Sequence, residues 1–89
     1  MTARVLSRDF TEWFRELCAA HAVIVRRCKH RGGAAVCLTT VVPGNAVRAL
    51  VRAALEARWR GHEAELADLV QAAVIEGNLV SFPGFRAGD

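Results

Sequence analysis

Tyrosine is absent, proline occurs twice, and no apolar stretch is long. The apolar run Ala19 to Val25 is broken by His21. It falls well short of the roughly 20 residues that a bilayer span needs, so no membrane helix is expected. Met1 to Phe10 carry Arg4, Arg8 and Asp9 and no continuous apolar core, which argues against a secretory signal peptide. Cys18, Cys28 and Cys37 are odd in number and lack both the spacing of a secreted disulfide framework and a tight Cys-x-x-Cys pair. These absences predict a cytoplasmic protein in a reducing compartment. No internal repeat and no low-complexity linker divides the chain, and 89 residues have room for one hydrophobic core, so residues 1–89 read as a single domain.

Catalytic signatures are missing too. No glycine-rich loop follows a strand and opens a helix, Ser7 reads as a helix cap, and Ser81 has no histidine or acid close to it in sequence. His21 reads as a helix-face residue and His62 as a turn residue. The absence of tyrosine removes a phenolic acid or base. The expectation is a protein that is not an enzyme and carries no cofactor.

Acids are absent from Leu17 to Leu55, where Arg26, Arg27, Lys29, Arg31, Arg48 and Arg52 make the segment +6. From Gly61 to Asp89 five acids, Glu63, Glu65, Asp68, Glu76 and Asp89, stand against Arg86 and give −4. The total of +3 therefore conceals a charge dipole, which suits a basic face for an acidic partner or head-to-tail contact between copies. A broad apolar fraction of 53% and a mean hydropathy of +0.20 are more than a small monomer hides easily. Self-association, as a homodimer or other homo-oligomer, is expected.

The periodicities predict an α+β domain of order α-β-β-α-α with a short third strand at the end. Ser7 caps a first helix with Asp9 in its opening turn. Phe10, Trp13, Phe14, Leu17, Cys18 and His21 fall on its core side, and Thr11, Glu12, Arg15 and Glu16 on the other. Ala22–Lys29 and Ala34–Val42 form a hairpin turning at Gly32-Gly33. That turn sets Ile24 opposite Val41, Arg26 opposite Thr39, Cys28 opposite Cys37 and His30 opposite Ala35. Apolar residues on both faces near the strand ends predict a ribbon covered on both sides. Asn45 caps a second helix after Pro43-Gly44. Its core stripe reads as Val47, Leu50, Val51, Ala54, Leu55 and Trp59, with Arg48, Arg52 and Glu56 on the opposite ridge. Gly61 ends that helix in the left-handed region. A third helix, with Glu63, Glu65 and Asp68 at its start, buries Leu66, Leu69, Val70, Ala73 and Val74 and closes at Gly77-Asn78. Leu79–Phe82 forms the short strand, and Phe85 docks against the body.

The stretch Leu69–Phe85, with Glu76-Gly77-Asn78, Leu79-Val80 and Phe82-Pro83-Gly84-Phe85, resembles the helix-to-strand passage of the HU/IHF nucleoid proteins. It covers about a fifth of the chain. The N-terminal half reads as a hairpin where that family has a helical pair, so the resemblance implies neither its fold nor its DNA contacts here.

The segment Arg26 to Gly33 places Arg26, Arg27, Lys29, Arg31 and the titratable His30 at a hairpin tip. Such a tip docks on an acidic protein surface, or lies along phosphates together with the Arg48 and Arg52 ridge. Its charges also keep a sheet edge from aggregating. No aromatic lies among these bases, which argues against single-strand binding by base stacking. Cys18, His21, Cys28 and Cys37 are the metal candidates, and they fit no known finger spacing. The leading expectation is a small regulatory or inhibitory protein that holds a larger protein or nucleoprotein complex through Arg26, Arg27, Lys29, His30 and Arg31. The alternatives are a nucleic-acid-binding regulator using Arg48 and Arg52 as well, and a zinc-stabilised structural domain.

Overall fold

The aromatic stripe of the first helix dictates the architecture, because Phe10, Trp13, Phe14, Leu17 and Cys18 must all find cover on one side. The computed structural model describes residues 4–30 and 33–88. Its elements run β1 (Arg4–Val5), α1 (Arg8–Ala20), β2 (Val23–His30), β3 (Gly33–Thr40), α2 (Pro43–Arg60), α3 (Glu63–Gln71), β4 (Val74–Glu76), β5 (Leu79–Pro83) and β6 (Phe85–Arg86). A four-stranded antiparallel sheet of order β2-β3-β5-β4 packs the helices against one face, and β1 pairs with β6 in a small parallel ladder. The domain is thus a small α+β unit with three helices described.

Ser7 caps α1 as its position predicts, its Oγ accepting from the Phe10 amide at 3.2 Å. Phe10 stacks on Phe14 with centroids 5.5 Å apart, and Phe14 meets Phe82 of β5 edge-on at 6.5 Å. Val36 and Leu38 of β3, Val80 and Phe82 of β5, and Leu66 and Leu69 of α3 complete that core. The Cα radius of gyration, 11.9 Å, is that of a fully collapsed chain of this length, about 12 Å.

The hairpin is present, with a different register. Val25 faces Leu38, Arg26 faces Cys37, Cys28 faces Ala35 and His30 faces Gly33. Gly33 is therefore a strand residue rather than half of the turn; Arg31 and Gly32 lie outside the described residues. The slip is two residues, so every side chain keeps the face that the sequence assigned it. Helices cover one of these faces, where Val23, Val36, Leu38 and Val80 join the core; on the other, Ala35, Cys37 and Ser81 are buried in the middle of the sheet while Ile24 on the edge strand stays exposed.

Asn45 does not cap α2. The helix starts at Pro43, whose missing amide and fixed φ suit the first helical position, and Gly61 at φ 74° ends it as expected. α3 is shorter than its periodicity suggests: β-branched Val74 and Ile75 leave it to pair with Ser81 and Val80, and Gly77 (φ 60°) opens the two-residue turn at Gly77-Asn78. Val70 and Val74 are consequently exposed. The passage resembling HU/IHF thus begins with the helical end of α3, Leu69 to Gln71, and then runs through a strand, a turn and a second strand rather than passing from helix into one strand.

Phe85 docks as predicted, under the guanidinium of Arg4 at 5.7 Å, and Arg4 is ion-paired with Asp68. Thr11, read as a surface residue, is buried: its Oγ1 donates to the Ser7 carbonyl at 2.9 Å and accepts from the Gly88 amide at 3.1 Å. That tail contact demands glycine, since a Cβ at residue 88 would stand 2.1 Å from the Leu6 carbonyl oxygen. Replacing Gly88 by Ala is therefore expected to lower stability by about 1–3 kcal/mol, visible as a melting-temperature drop of several degrees.

The largest departure concerns α2. Its buried residues are Ala46, Ala49, Ala53 and Ala57, and the stripe assigned to the core faces outward, with only Leu50 half-buried against it. The core is already filled by five aromatic side chains and by leucines, so the space left for α2 admits methyl groups and no more. Ala53→Leu should accordingly be destabilising by about 1–3 kcal/mol in denaturant melts, although it raises helix-compatible hydrophobicity.

Candidate interaction surface

Two exposed features flank the end of α1, and they are built by different physics. The first is the hairpin. β2 is an edge strand whose side chains alternate between the helix-covered face, taken by Val23, Val25, Arg27 and Lys29, and the opposite face, taken by Ile24, Arg26 and Cys28. Arg26, Arg27 and Lys29 are all exposed, so cations leave the hairpin from both faces. β3 itself contributes no acid to face them. His30 lies at the end of β2, paired with Gly33, and Arg31 falls outside the described residues. Two of the acids beyond Gly61 engage elsewhere: Glu65 accepts from the Ser7 amide and hydroxyl, and Asp68 holds Arg4.

The second feature is the outer side of α2, which sequence reasoning placed in the core. Val47 is 59% exposed, Val51 56%, Leu55 64% and Trp59 89%, and their spacing of four makes one continuous ridge. Arg48 and Arg52 were expected opposite these residues and instead lie among them, Arg52 holding Glu56 at 3.5 Å. Three shallow open grooves of about 250, 320 and 500 Å³ run beside the ridge, and Arg52 lines each of them. His21, at the C-terminus of α1, borders the two that adjoin α1 and Val47. The signal for this ridge was in the sequence: alanines at 46, 49, 53 and 57 form a second stripe, so α2 has two apolar sides and the core can take one.

The metal candidates are not brought together. Cys18 lies in the aromatic core, whereas Cys28 and Cys37 share the opposite face of the sheet as diagonal neighbours, and His21 borders the α2 grooves. Among the described residues no group of three His, Cys, Asp or Glu side chains converges to hold a metal ion. Nor is any described helix long and apolar enough to cross a membrane. His62, read as a turn residue, stands before α3 and stacks on Trp13 at 5.1 Å and against Phe10 at 5.4 Å, closing the aromatic cluster.

Burial pushes the Cys18 thiol up to about 12 from 9.0. Burial, and then the thiol of Cys28, push Cys37 up to about 12 against a smaller lowering by Arg26. Folded chains thus hold both as thiols while unfolded chains ionise them near pH 9, so this contribution is complete below pH 9 and is lost as pH rises toward 12. With no tyrosine to add its own titration, thermal melts should show stability falling between those limits. At pH 8 a thiol reagent should modify half-buried Cys28 quickly and the other two only on unfolding.

No protein family, no curated protein and no solved structure matches this chain.

Proposed function

We propose that the domain is a non-enzymatic binding protein of the regulatory or inhibitory kind, which works through protein–protein contact and uses the basic hairpin as its arm toward a larger, acidic partner. The observation that carries this reading is the composition of the solvent side of α2, where Arg48 and Arg52 alternate with Val47, Val51, Leu55 and Trp59. A phosphate backbone offers nothing to such apolar side chains, while a protein surface matches both kinds of group. This mixture is why protein contact is preferred to nucleic-acid binding, in which Arg48 and Arg52 would extend a purely cationic face. The shallow grooves beside α2 fit the same reading, since they are open to solvent.

Arg26 and Lys29 are the cleanest probes of the hairpin because both are exposed and lie on opposite faces of β2. Arg26→Glu with Lys29→Glu should weaken capture of the partner protein from host extract at least tenfold, and leave unfolding free energy within about 0.5 kcal/mol of the parent. Unchanged capture removes the hairpin from the interface. A gel shift at low salt whose affinity falls steeply as salt rises would replace this reading with the nucleic-acid one.

A further inference from the structure

We infer that the α2 ridge is covered by a second copy of the chain, so that two α2 helices pair antiparallel about a two-fold axis near Ala53. The inference rests on the reading that this domain works through protein contact, and it names the occupant of one of its two surfaces. The area is the first reason. Val47, Val51, Leu55 and Trp59 leave roughly 500 Å² of surface uncovered per copy, at the upper end of what a monomer tolerates in one apolar patch. Pairing two such ridges can bury up to about 1,000 Å² from these four residues, and flanking side chains such as Arg48 and Arg52 add to it, which brings the contact to the size where specific interfaces begin.

The order of side-chain sizes is the second reason. Along the ridge they grow from Val47 and Val51 through Leu55 to Trp59. A parallel pairing would set tryptophan on tryptophan at one end and leave a gap between valines at the other. An antiparallel two-fold sets Val47 against Trp59 and Val51 against Leu55, so each level holds a small and a large side chain and the volumes even out. A stripe of spacing four is also the ridge that packs into an equivalent groove on a crossing helix.

Charge is the third. Arg48 sits one residue from Val47, and the same two-fold carries it to the rim beside Trp59 of the second copy, where its guanidinium can lie on the exposed indole. Arg52 and Glu56, already paired within one copy, lie on the same edge and can exchange partners across the axis. The cations of the hairpin stay clear of this contact: His21 borders the α2 grooves and adjoins the start of β2, whereas Arg26 to His30 occupy its far half. A dimer would therefore present two basic hairpins.

Sedimentation velocity on the full chain from about 1 to about 100 μM tests the pairing. The parent should sediment as a dimer. Leu55→Glu, at an exposed position that leaves the alanine face intact, should keep the parent circular dichroism and raise the dissociation constant at least about 30-fold. Arrangement is read by cross-linking in a Cys28→Ser background: Val51→Cys mixed with Leu55→Cys should form a mixed disulfide dimer several-fold faster than either variant alone. A parent that is monomeric throughout the range, a Leu55→Glu variant that stays dimeric, or equal rates for mixed and single cysteines each overturn the proposal. A monomer that still captures its partner through the hairpin would reject the dimer and leave the protein-binding reading standing; a dimer whose capture ignores the hairpin charges would do the reverse.

Discussion

The packing of aromatic rings against small side chains is the constraint on which the rest of this domain depends. Phe10, Trp13, Phe14 and Phe82 occupy most of the space between α1 and the sheet, with His62 stacked at the edge. A core of about twenty buried apolar residues in so short a chain leaves little volume for another element. α2 can then approach only through Ala46, Ala49, Ala53 and Ala57. Because a helix that buries one side must expose the other, closing the core with alanine is what puts Val47, Val51, Leu55 and Trp59 in water.

The chain ends follow from the same economy of space. β1 and β6 add only a short ladder, and its carbonyl and amide groups are tied by Arg4 to Gly84 at 2.7 Å and Leu6 to Arg86 at 2.9 Å. Between them they hold Phe85 in place and bring Gly88 against the first turn of α1. The start of α1 is thereby fixed from three directions: by its own Ser7 cap, by Glu65 of α3 and by the tail. Charge pairing adds little energy at such exposed positions, and its contribution here is to set which elements adjoin. Two acids of α3, Glu65 and Asp68, are committed to Ser7 and Arg4.

A small domain of this kind has two ways to act on other molecules. Its sheet edge is guarded by Arg26, Arg27 and Lys29, which discourages a further strand from adding and offers positive charge to an acidic surface. Its outer helix offers shape and apolar area with arginines among them. Placed at separate parts of the molecule, the two surfaces can be occupied together, as the proposed binding role requires.

Residue periodicity and turn chemistry by themselves determined α1, its cap and its buried stripe, the hairpin and the faces of its strands, and the left-handed end of α2. These features depend on neighbours in sequence and on where apolar side chains recur, both of which are local. Tertiary structure decided the rest. It chose between the two apolar stripes of α2 on the volume left by the aromatic core, and it drew Val74 and Ile75 out of a helix because β5 offered hydrogen bonds. The hairpin register slid by two residues, a change that alternation alone does not detect because it preserves both faces. It also buried Thr11, which reads as a surface residue until Gly88 arrives from the far end of the chain. The face chosen by α2 and the burial of Thr11 turned on contacts between residues distant in sequence, while the β4–β5 pairing and the hairpin register were choices between local alternatives that periodicity does not rank.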